Sequence, residues 1–504
     1  MSATRVPSAD PVDVGLLLEG TYPFVRGGVS SWVHRLLEGL PDTTFSLAFL
    51  GGRRADHGPP AYPPLPNVRH FDCQYLFEPP AREEVATRSG HDFADLGRLH
   101  HVLSTTARDE PIDAELLQRM ARLLGAPGGL TRGDFLRADG VWEHICESHR
   151  RECPEGSFTD YFWTLRAMYG SVFGVAELAR RLPPARCYHA LSTGYAGLLG
   201  AILRHRDGRP LVLTEHGIYT KERRIDLASA ERVPGDDADR GTPGFGRRLW
   251  MRFFHGLGRI TYASAHPVVS LYEGSRQRQI QDGAAPDRTR VVPNGVDADR
   301  YRSLRSARPA APPPVLGFVG RVVPVKDVKT FVRAMKAVLA RLPEAEGWIV
   351  GPTTEDEGYA AECVRLVSTL GLEGRLRFAG FQPAHEILPR LGVLVLTSIS
   401  EGLPLVVLEA FASGLPVVTT DVGACRELVE GKSLADRELG TAGAVVPMAD
   451  PEATAGAVLT LLGDPERWRV AQRAAIRRVE THYTERGVFV AYRRIYQEAR
   501  EWRA

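Results

Sequence analysis

The chain has 504 residues, which is too long for one hydrophobic core, so two domains are expected. Its 63 basic residues almost balance its 61 acidic residues, which gives no reason to expect nucleic acid as a partner. Six scattered cysteines without a C-x-x-C pair argue against a zinc ribbon or a disulfide framework. Neither a secretory signal nor an 18-residue apolar stretch is evident. We therefore expect a cytoplasmic protein that does not span a membrane.

The first predicted strand covers Val12–Leu18, and a helix from about Val29 to Leu40 follows it. The loop between them ends in the pair Gly27 and Gly28. Paired glycines where a helix begins let backbone amides approach an anionic ligand closely, although a plain βα turn is the alternative. The loop contains neither G-x-G-x-x-G nor G-x-x-x-x-G-K-[ST], so neither a clear NAD site nor a P-loop is indicated.

A change of pattern follows the second predicted strand, Phe45–Phe49. The stretch from about Cys73 to Asp160 is rich in proline and charge, with helical pieces near Ala81–Thr106, Ala114–Leu124 and Val141–Arg151. We interpret it as a helical insertion in the first domain that faces either an acceptor or a partner protein.

Strands and helices then alternate again. Predicted helices lie at about Phe162–Arg181, Tyr195–Arg204, Phe245–Leu257 and Tyr272–Gln281, and predicted strands at Cys187–Ala190, Pro210–Glu215, Pro267–Ser270 and Thr289–Val292. His216 follows the carboxyl end of a strand directly before a glycine, so it can reach into a cleft, although a lone histidine is more often structural. The Asn294–Gly295 pair suits a left-handed turn, and the proline-rich segment Ser303–Pro314 is predicted to be the interdomain linker.

The second domain begins with a predicted strand at Val315–Val319. Arg321 and Lys326 lie in the loop that follows, before a helix that reaches about Arg341. Cations near a helix N-terminus are unfavourable unless an anion lies between them, the alternative being two solvated surface charges. Further strands are predicted at Gly347–Val350, Arg375–Ala379, Pro416–Thr420 and Gly440–Val446.

The most informative stretch runs from Val393 to Gly414. An apolar strand, Val393–Leu396, ends in a polar loop, and a helix over Leu405–Ala412 follows. Strand end and helix N-terminus therefore meet in a crevice of the kind where open α/β sheets bind ligands. Glu401 and Glu409 lie eight positions apart across this junction, and each carboxylate could accept two sugar hydroxyls. The alternative is a capping acid and a solvated helix residue.

The last helix carries an aromatic and apolar stripe on one side and arginines elsewhere. The stripe consists of Phe489, Tyr492, Ile495, Tyr496, Ala499 and Trp502. Such a helix either lies on a membrane surface or packs against another part of the chain, and we expect it to pack on the first domain.

The spacing Glu401-x7-Glu409, followed by Pro416-Val-Val-Thr-Thr-Asp421, resembles the donor-sugar motif of the retaining glycosyltransferases of family 4. The resemblance is most specific over residues 315–450 and absent for the insertion. It implies an α/β protein with the GT-B fold, in which two Rossmann-like, doubly wound domains face each other across a cleft. The implied domains are residues 1–300, with the helical insertion at about 73–160, and residues 301–483, with a C-terminal helix at about 484–504 that packs on the first.

The resemblance also implies roles for individual residues. Arg321 and Lys326 would bind the diphosphate, Glu401 the donor-sugar hydroxyls and Glu409 the ribose hydroxyls, while His216 would contact the donor sugar. The donor site would be completed by Gly27, Gly28, Phe381, Gly402, Leu403, Pro404 and Leu405, with Phe381 near the nucleotide base. No D-x-D motif stands in a suitable loop, because Asp297-Ala298-Asp299 follows the interdomain turn, so we expect no cofactor and no divalent metal.

Residues 15–41 (GLLLEGTYPFVRGGVSSWVHRLLEGLP) and 214–223 (TEHGIYTKER) resemble glycosyltransferases of Pel-type bacterial exopolysaccharide synthesis. This implies retaining transfer of a hexose from a UDP-sugar, either UDP-glucose or a UDP-N-acetylhexosamine, to a saccharide acceptor. The implied partner is a membrane-embedded polysaccharide synthase and export complex, which would hold the enzyme at the inner membrane in biofilm formation. The alternatives are a GT-B nucleotide-sugar 2-epimerase and a non-catalytic UDP-sugar-binding subunit.

Overall fold

The computed structural model describes residues 11–78, 93–105, 112–230, 233, 244–306, 308–309 and 311–501. The chain folds into two compact units. The first contains the chain up to Val291 together with the residues from Ala491 onward, and the second is Val292–Val490. Each unit is built on one parallel β-sheet covered by helices, which confirms the predicted pair of Rossmann-like domains.

The first unit has a seven-stranded sheet in the order β3-β2-β1-β4-β5-β6-β7. Its strands are β1 (Val12–Glu19), β2 (Phe45–Gly51), β3 (Val68–Tyr75), β4 (Ala185–Ala190), β5 (Leu211–Glu215), β6 (Val268–Ser270) and β7 (Thr289–Val291). Its helices are α1 (Gly28–Gly39), α2 (Ala94–Ser104), α3 (Ala114–Gly125), α4 (Arg132–Arg137), α5 (Asp139–Glu152), α6 (Phe158–Arg181), α7 (Tyr195–Asp207), α8 (Tyr219–Ser229), α9 (Phe245–Ser264) and α10 (Glu273–Gln281). Strands β2 and β5 are buried along their whole length, as expected for a parallel sheet covered on both faces.

The second unit has a six-stranded parallel sheet in the order β10-β9-β8-β11-β12-β13. Its strands are β8 (Val315–Val319), β9 (Glu346–Val350), β10 (Leu376–Gly380), β11 (Val393–Leu396), β12 (Val417–Thr420) and β13 (Gly443–Val446). Its helices are α11 (Ala298–Ser306), α12 (Val328–Leu339), α13 (Glu357–Thr369), α14 (Ala384–Ile387), α15 (Leu405–Ala412), α16 (Cys425–Glu430), α17 (Leu434–Arg437), α18 (Pro451–Leu462) and α19 (Pro465–His482), and α20 (Glu485–Glu501) passes from this unit into the first.

Each sheet has one point where the strand order reverses. In the first unit this switch point lies between β1 and β4, and in the second between β8 and β11. The connections leaving the two central strands diverge there, which opens a crevice at their carboxyl ends. The loops after β8 and β11 carry Lys326 and Glu401.

The helical insertion is shorter than predicted and packs on the α/β core. Cys73 belongs to β3, which pairs with β2, and Asp160 lies inside α6, so both predicted ends were wrong. The predicted helix at Ala81–Thr106 falls partly outside the described residues, and its described part is α2. Helices α2 and α3 pack on α9 and α7, so the insertion shares the hydrophobic core of the first unit.

The C-terminal helix α20 belongs to the first unit from Ala491 onward. Tyr492 and Tyr496 are almost fully buried. The Tyr496 hydroxyl lies 2.8 Å from Nδ1 of His189, and the Tyr492 hydroxyl lies 2.9 Å from the Thr214 hydroxyl. Ile495 and Ala499 of the predicted stripe are buried as well, Phe489 is partly buried, and Trp502 lies outside the described residues. No helix in the described ranges combines the length and apolar character needed to cross a membrane.

The segment that enters the second unit differs from its prediction. Neither Asn294 nor Gly295 has a positive φ, so the expected left-handed turn is absent. Gly295 is instead needed for close approach, because a Cβ there would lie 2.4 Å from the Thr484 carbonyl oxygen. The predicted linker Ser303–Pro314 begins inside α11 and belongs to the second unit, whose first residue is Val292.

Candidate functional site

Three polar side chains meet at the switch point of the second sheet. The Lys326 ammonium lies 2.5 Å from Oε1 of Glu401, and the Ser398 hydroxyl donates to the same oxygen over 2.5 Å. The lysine side chain is 18% exposed and the glutamate side chain 9%, so the ion pair is partly shielded from water. A charge pair in such surroundings attracts more strongly than one in bulk solvent. We call Lys326, Ser398 and Glu401 the switch-point cluster.

Backbone contacts hold the two loops of the cluster together. The Ile399 amide donates to the Val325 carbonyl over 2.9 Å, and the Thr397 hydroxyl lies within hydrogen-bond distance of the carbonyls of Lys326 and Asp327. Asp327 has a left-handed φ of 42° and caps α12, its carboxylate accepting from the Thr330 amide and hydroxyl. Asp327 therefore adopts a left-handed conformation, which glycine adopts more readily than other residues.

Arg321 makes a different ion pair. It was predicted to act with Lys326 on one diphosphate, but its guanidinium donates to Oε2 of Glu355 over 2.7 Å on the exposed side of the loop. Glu355 lies two residues before α13. A ligand anion would have to compete with Glu355 for Arg321.

Glu409 lies on α15, one helix away from the cluster. Its Oε1 accepts a hydrogen bond of 3.2 Å from the buried Tyr301 hydroxyl on α11. Gly402, Leu403 and Pro404 form the turn between Glu401 and α15, and Leu405 is the first residue of that helix. The Leu403 carbonyl accepts from the Asn294 side chain over 3.0 Å, so the start of the second unit supports this turn.

Gly423 also packs closely against the turn before α15. This glycine has a φ of 55°, and a Cβ there would lie 2.3 Å from the Glu401 carbonyl oxygen. The next residue, Ala424, donates its amide to the Gly402 carbonyl over 2.8 Å. Phe381, the predicted neighbour of the base, follows β10 and has 62% of its surface exposed.

Three predicted site residues, His216, Gly27 and Gly28, belong to the first unit. His216 follows β5, and its ring meets the Trp32 ring edge to face at 4.5 Å. Burial lowers the pKa of His216 to about 4, so the imidazole is neutral near pH 7. Its Nε2 is buried and lacks a hydrogen-bond partner among the described residues. A buried polar atom of this kind can bind a ligand hydroxyl without first breaking another bond.

Gly27 and Gly28 begin α1 at the carboxyl end of β1. Gly27 has extended backbone, and a Cβ there would meet no atom within 4 Å, so open space surrounds it. The preceding part of the loop is anchored by aromatic contacts: Tyr22 packs on Tyr62 and Phe24 on Phe49, with ring centroids 5.2 and 4.8 Å apart. The glycine pair therefore follows a loop segment whose aromatic side chains are packed against the rest of the unit.

Two carboxylates beside His216 were not predicted. Glu215, at the end of β5, is buried and accepts from the Tyr262 hydroxyl over 2.6 Å and from the Gln279 amide over 3.0 Å. Glu19, at the end of β1, accepts from the Tyr219 hydroxyl over 2.7 Å, while the Tyr219 amide lies 3.4 Å from Glu215. Tyr219 thus joins the two acids and closes the short loop that carries His216.

Burial raises the pKa of Glu215 to about 7, and its hydrogen bonds oppose this rise only in part. A single sequence signal was available: Glu215 ends an apolar strand directly before His216. Ser398 and Gly423 had no comparable signal, because their importance depends on contacts between loops distant in sequence.

The described residues contain no group of three or more histidine, cysteine, aspartate or glutamate side chains that could hold a metal ion.

Two parallel-sheet units of this kind, with a basic and acidic cluster at a switch point, indicate a glycosyltransferase of the GT-B fold. Family comparisons agree: the model described as Glycosyl transferases group 1 matches residues 313–464. The chain belongs to the family described as Domain of unknown function (DUF3492), whose model matches residues 12–287.

Characterised relatives support the same class. The D-inositol 3-phosphate glycosyltransferase of Saccharomonospora viridis is 30% identical over 318 residues, which are 60% of this chain and 68% of that enzyme. The enzyme of the same name from Nocardia farcinica is 30% identical over 305 residues, so the chain spans 62% of that enzyme's length.

Solved structures show the same fold at low sequence identity. Anabaena HepE in complex with UDP is 15% identical with a TM-score of 0.58, covering 96% of this chain and 99% of that one. Sucrose-phosphate synthase from Thermosynechococcus elongatus is 18% identical with a TM-score of 0.56, covering 96% and 98%.

Proposed function

We propose that this protein transfers a hexose from a UDP-sugar to a saccharide acceptor with retention of the anomeric configuration. The observation that carries the proposal is the contact between Lys326 and Glu401 at the switch point of the second sheet, where open α/β sheets bind ligands. UDP as the carrier is supported by the UDP complexes of HepE, a structural neighbour.

In this proposal the difficult event is departure of the diphosphate, on whose oxygens negative charge develops. Lys326 stabilises that charge from a fixed position, and Arg321 does so after leaving Glu355. Glu401 then accepts hydroxyls of the donor sugar, and Glu409 accepts the ribose hydroxyls. His216 offers its Nε2 to a hydroxyl of the donor sugar. Gly27, Gly28, Phe381 and the turn Gly402–Leu405 complete the nucleotide site.

We assign the reaction to Pel-type exopolysaccharide synthesis, in which the protein works with a membrane-embedded export complex at the inner membrane. The support is the likeness of residues 15–41 and 214–223 to the Pel glycosyltransferase PelF. The assignment concerns the acceptor and the partners, and it does not alter the chemistry at the donor site.

The test is product analysis with UDP-glucose and UDP-N-acetylglucosamine, each with and without a saccharide acceptor. We expect release of UDP and, by NMR, an α-linked product from the α-linked donor. Conversion of one UDP-sugar into another without release of UDP would identify an epimerase instead. UDP binding without transfer or hydrolysis would identify a non-catalytic subunit, and a β-linked product would refute retention.

No divalent metal takes part in the proposed reaction, because cations of the chain supply the positive charge. Turnover in excess EDTA should therefore equal turnover in added Mg²⁺. A loss of activity in EDTA that Mg²⁺ restores would contradict this part of the proposal.

A further inference from the structure

The helical insertion contains a cavity of about 210 Å³ between α4, α5 and α6. This volume greatly exceeds the ~10–15 Å³ that one water molecule needs. Its wall is mainly apolar and includes Phe135, Trp142, Ile145 and Phe162, with Arg137, Asp139 and Arg166 among them. A concave, largely apolar surface with a few converging polar groups is the usual form of a small-molecule site.

Trp142 lines this cavity, and 52% of its surface is exposed. The Trp142 ring packs edge to face against the rings of Phe158 and Phe162, whose centroids lie 5.6 and 5.9 Å from its own. These contacts limit the motion of the indole, and little conformational entropy would be lost when a ligand packs on it.

Three charged side chains complete the wall. Asp139 begins α5, and Arg137 lies two residues before it, while Arg166 comes from α6. The Arg166 guanidinium lies 5.1 Å from the centroid of the Trp163 ring, which restrains it. Guanidinium groups donate and carboxylates accept hydrogen bonds in pairs, so the wall offers both functions at once.

We propose that this cavity binds one hexose unit of a saccharide chain, separately from the switch-point cluster. This inference rests on the proposed function, in which the enzyme acts on a saccharide acceptor. A hexose has an apolar C–H face that fits an aromatic wall and a rim of hydroxyls that pairs with arginine and aspartate. A purely apolar ligand could not use the Asp139 carboxylate or the Arg166 guanidinium as a hydrogen-bond partner. A stable protein interface buries ~800 Å² on each partner, far more than a cavity of this size offers.

The chain supplies a matched control for the test. Phe77 is an aromatic side chain of the first unit that is 51% exposed, and it does not line the cavity. Cellohexaose and chitohexaose are titrated calorimetrically into the full-length wild-type protein, Trp142→Ala and Phe77→Ala. We expect saturable binding of at least one oligosaccharide, which Trp142→Ala weakens about tenfold or more while Phe77→Ala changes it less than about twofold.

A second variant and a second ligand keep the result unambiguous. Asp139→Asn preserves the shape of the wall and should also weaken the oligosaccharide, because the carboxylate is lost. UDP affinity should be unchanged in all three variants, which shows that the protein is folded and separates this inference from the donor-site proposal. Absence of binding by both oligosaccharides, or equal weakening by Trp142→Ala and Phe77→Ala, would overturn the inference.

Discussion

Lys326 is the residue on which the proposed donor site depends most directly. Glu401 holds its ammonium in place, so in the proposed reaction the charge is already oriented and need not be ordered as the transition state forms. Lys329 offers a comparison three residues further on, where the ammonium pairs with Glu362 on the surface.

We therefore expect Lys326→Ala to lower kcat by roughly 10²–10³-fold, by analogy with the removal of other donors to a developing anion. Lys329→Ala should leave kcat within about twofold, because an exposed ion pair contributes little. Steady-state release of UDP from both variants measures the difference. Normal turnover by Lys326→Ala would remove the lysine from the phosphate site.

Arg321 differs from Lys326, because its ion pair with Glu355 lies on the exposed side of the loop and already balances its charge. If Arg321 binds phosphate, removal of its competitor should help: Glu355→Ala should tighten UDP binding by up to about fivefold, the value of an exposed ion pair. Arg321→Ala should weaken UDP binding. Titration calorimetry with UDP measures the affinity of both variants. Tighter binding by both variants, or no change in either, would show that the arginine does not reach the nucleotide.

At the residue scale, the sequence indicated which charged residues to consider but not which residues they contact. Lys326 and Glu401 were chosen separately, and the structure joins them. Arg321 was chosen with Lys326, yet the contact it makes is with Glu355. Hydrogen bonds between loops depend on how strands are ordered in a sheet, and spacing along the chain does not contain that order.

At the scale of elements, the carboxyl end of β5 is a polar junction inside an apolar unit. Glu215 receives hydrogen bonds from α9 and α10 and from the first residue of α8. The pKa of this acid is raised from 4.5 to about 7, so the folded protein retains the proton that the unfolded chain releases. Its contribution to stability is therefore complete below pH 4.5 and declines as the pH rises through 7.

The predicted consequence is a fall in the free energy of unfolding between about pH 5 and pH 8, on the order of 3 kcal/mol at 1.36 kcal/mol per pKa unit. Glu215→Gln, which cannot ionise, should flatten that slope. Urea unfolding at several pH values measures both. A wild-type slope that survives in Glu215→Gln would mean that another group titrates.

The regular elements were mostly predictable because buried parallel strands form apolar runs of typical length. The prediction missed β3, whose sequence VRHFDCQY is half polar and half-exposed along its length, and so lacks that run. It also missed α4, which has only six residues and depends on the Thr131 cap rather than on periodicity. The insertion could not be bounded, since its helices contribute to the same core as the α/β elements.

At the scale of the whole molecule, the last helix completes the unit with which the chain begins. Tyr492 packs against Trp32 at 5.1 Å and stacks on His189 at 5.6 Å. Tyr492→Ala should destabilise the protein by about 3–5 kcal/mol, as for other buried aromatic side chains, while the exposed Arg493→Ala should have little effect. Thermal unfolding compares the two, and equal melting temperatures would contradict the buried position of the helix.

Trp32 touches both Tyr492 and His216. Two aromatic rings, those of Tyr492 and Trp32, therefore lie in series between the last helix and the His216 imidazole. On the proposed role of His216, we expect substitutions in the last helix to alter the rate of sugar transfer, so a directed-evolution screen for faster transfer should recover some of its mutations there.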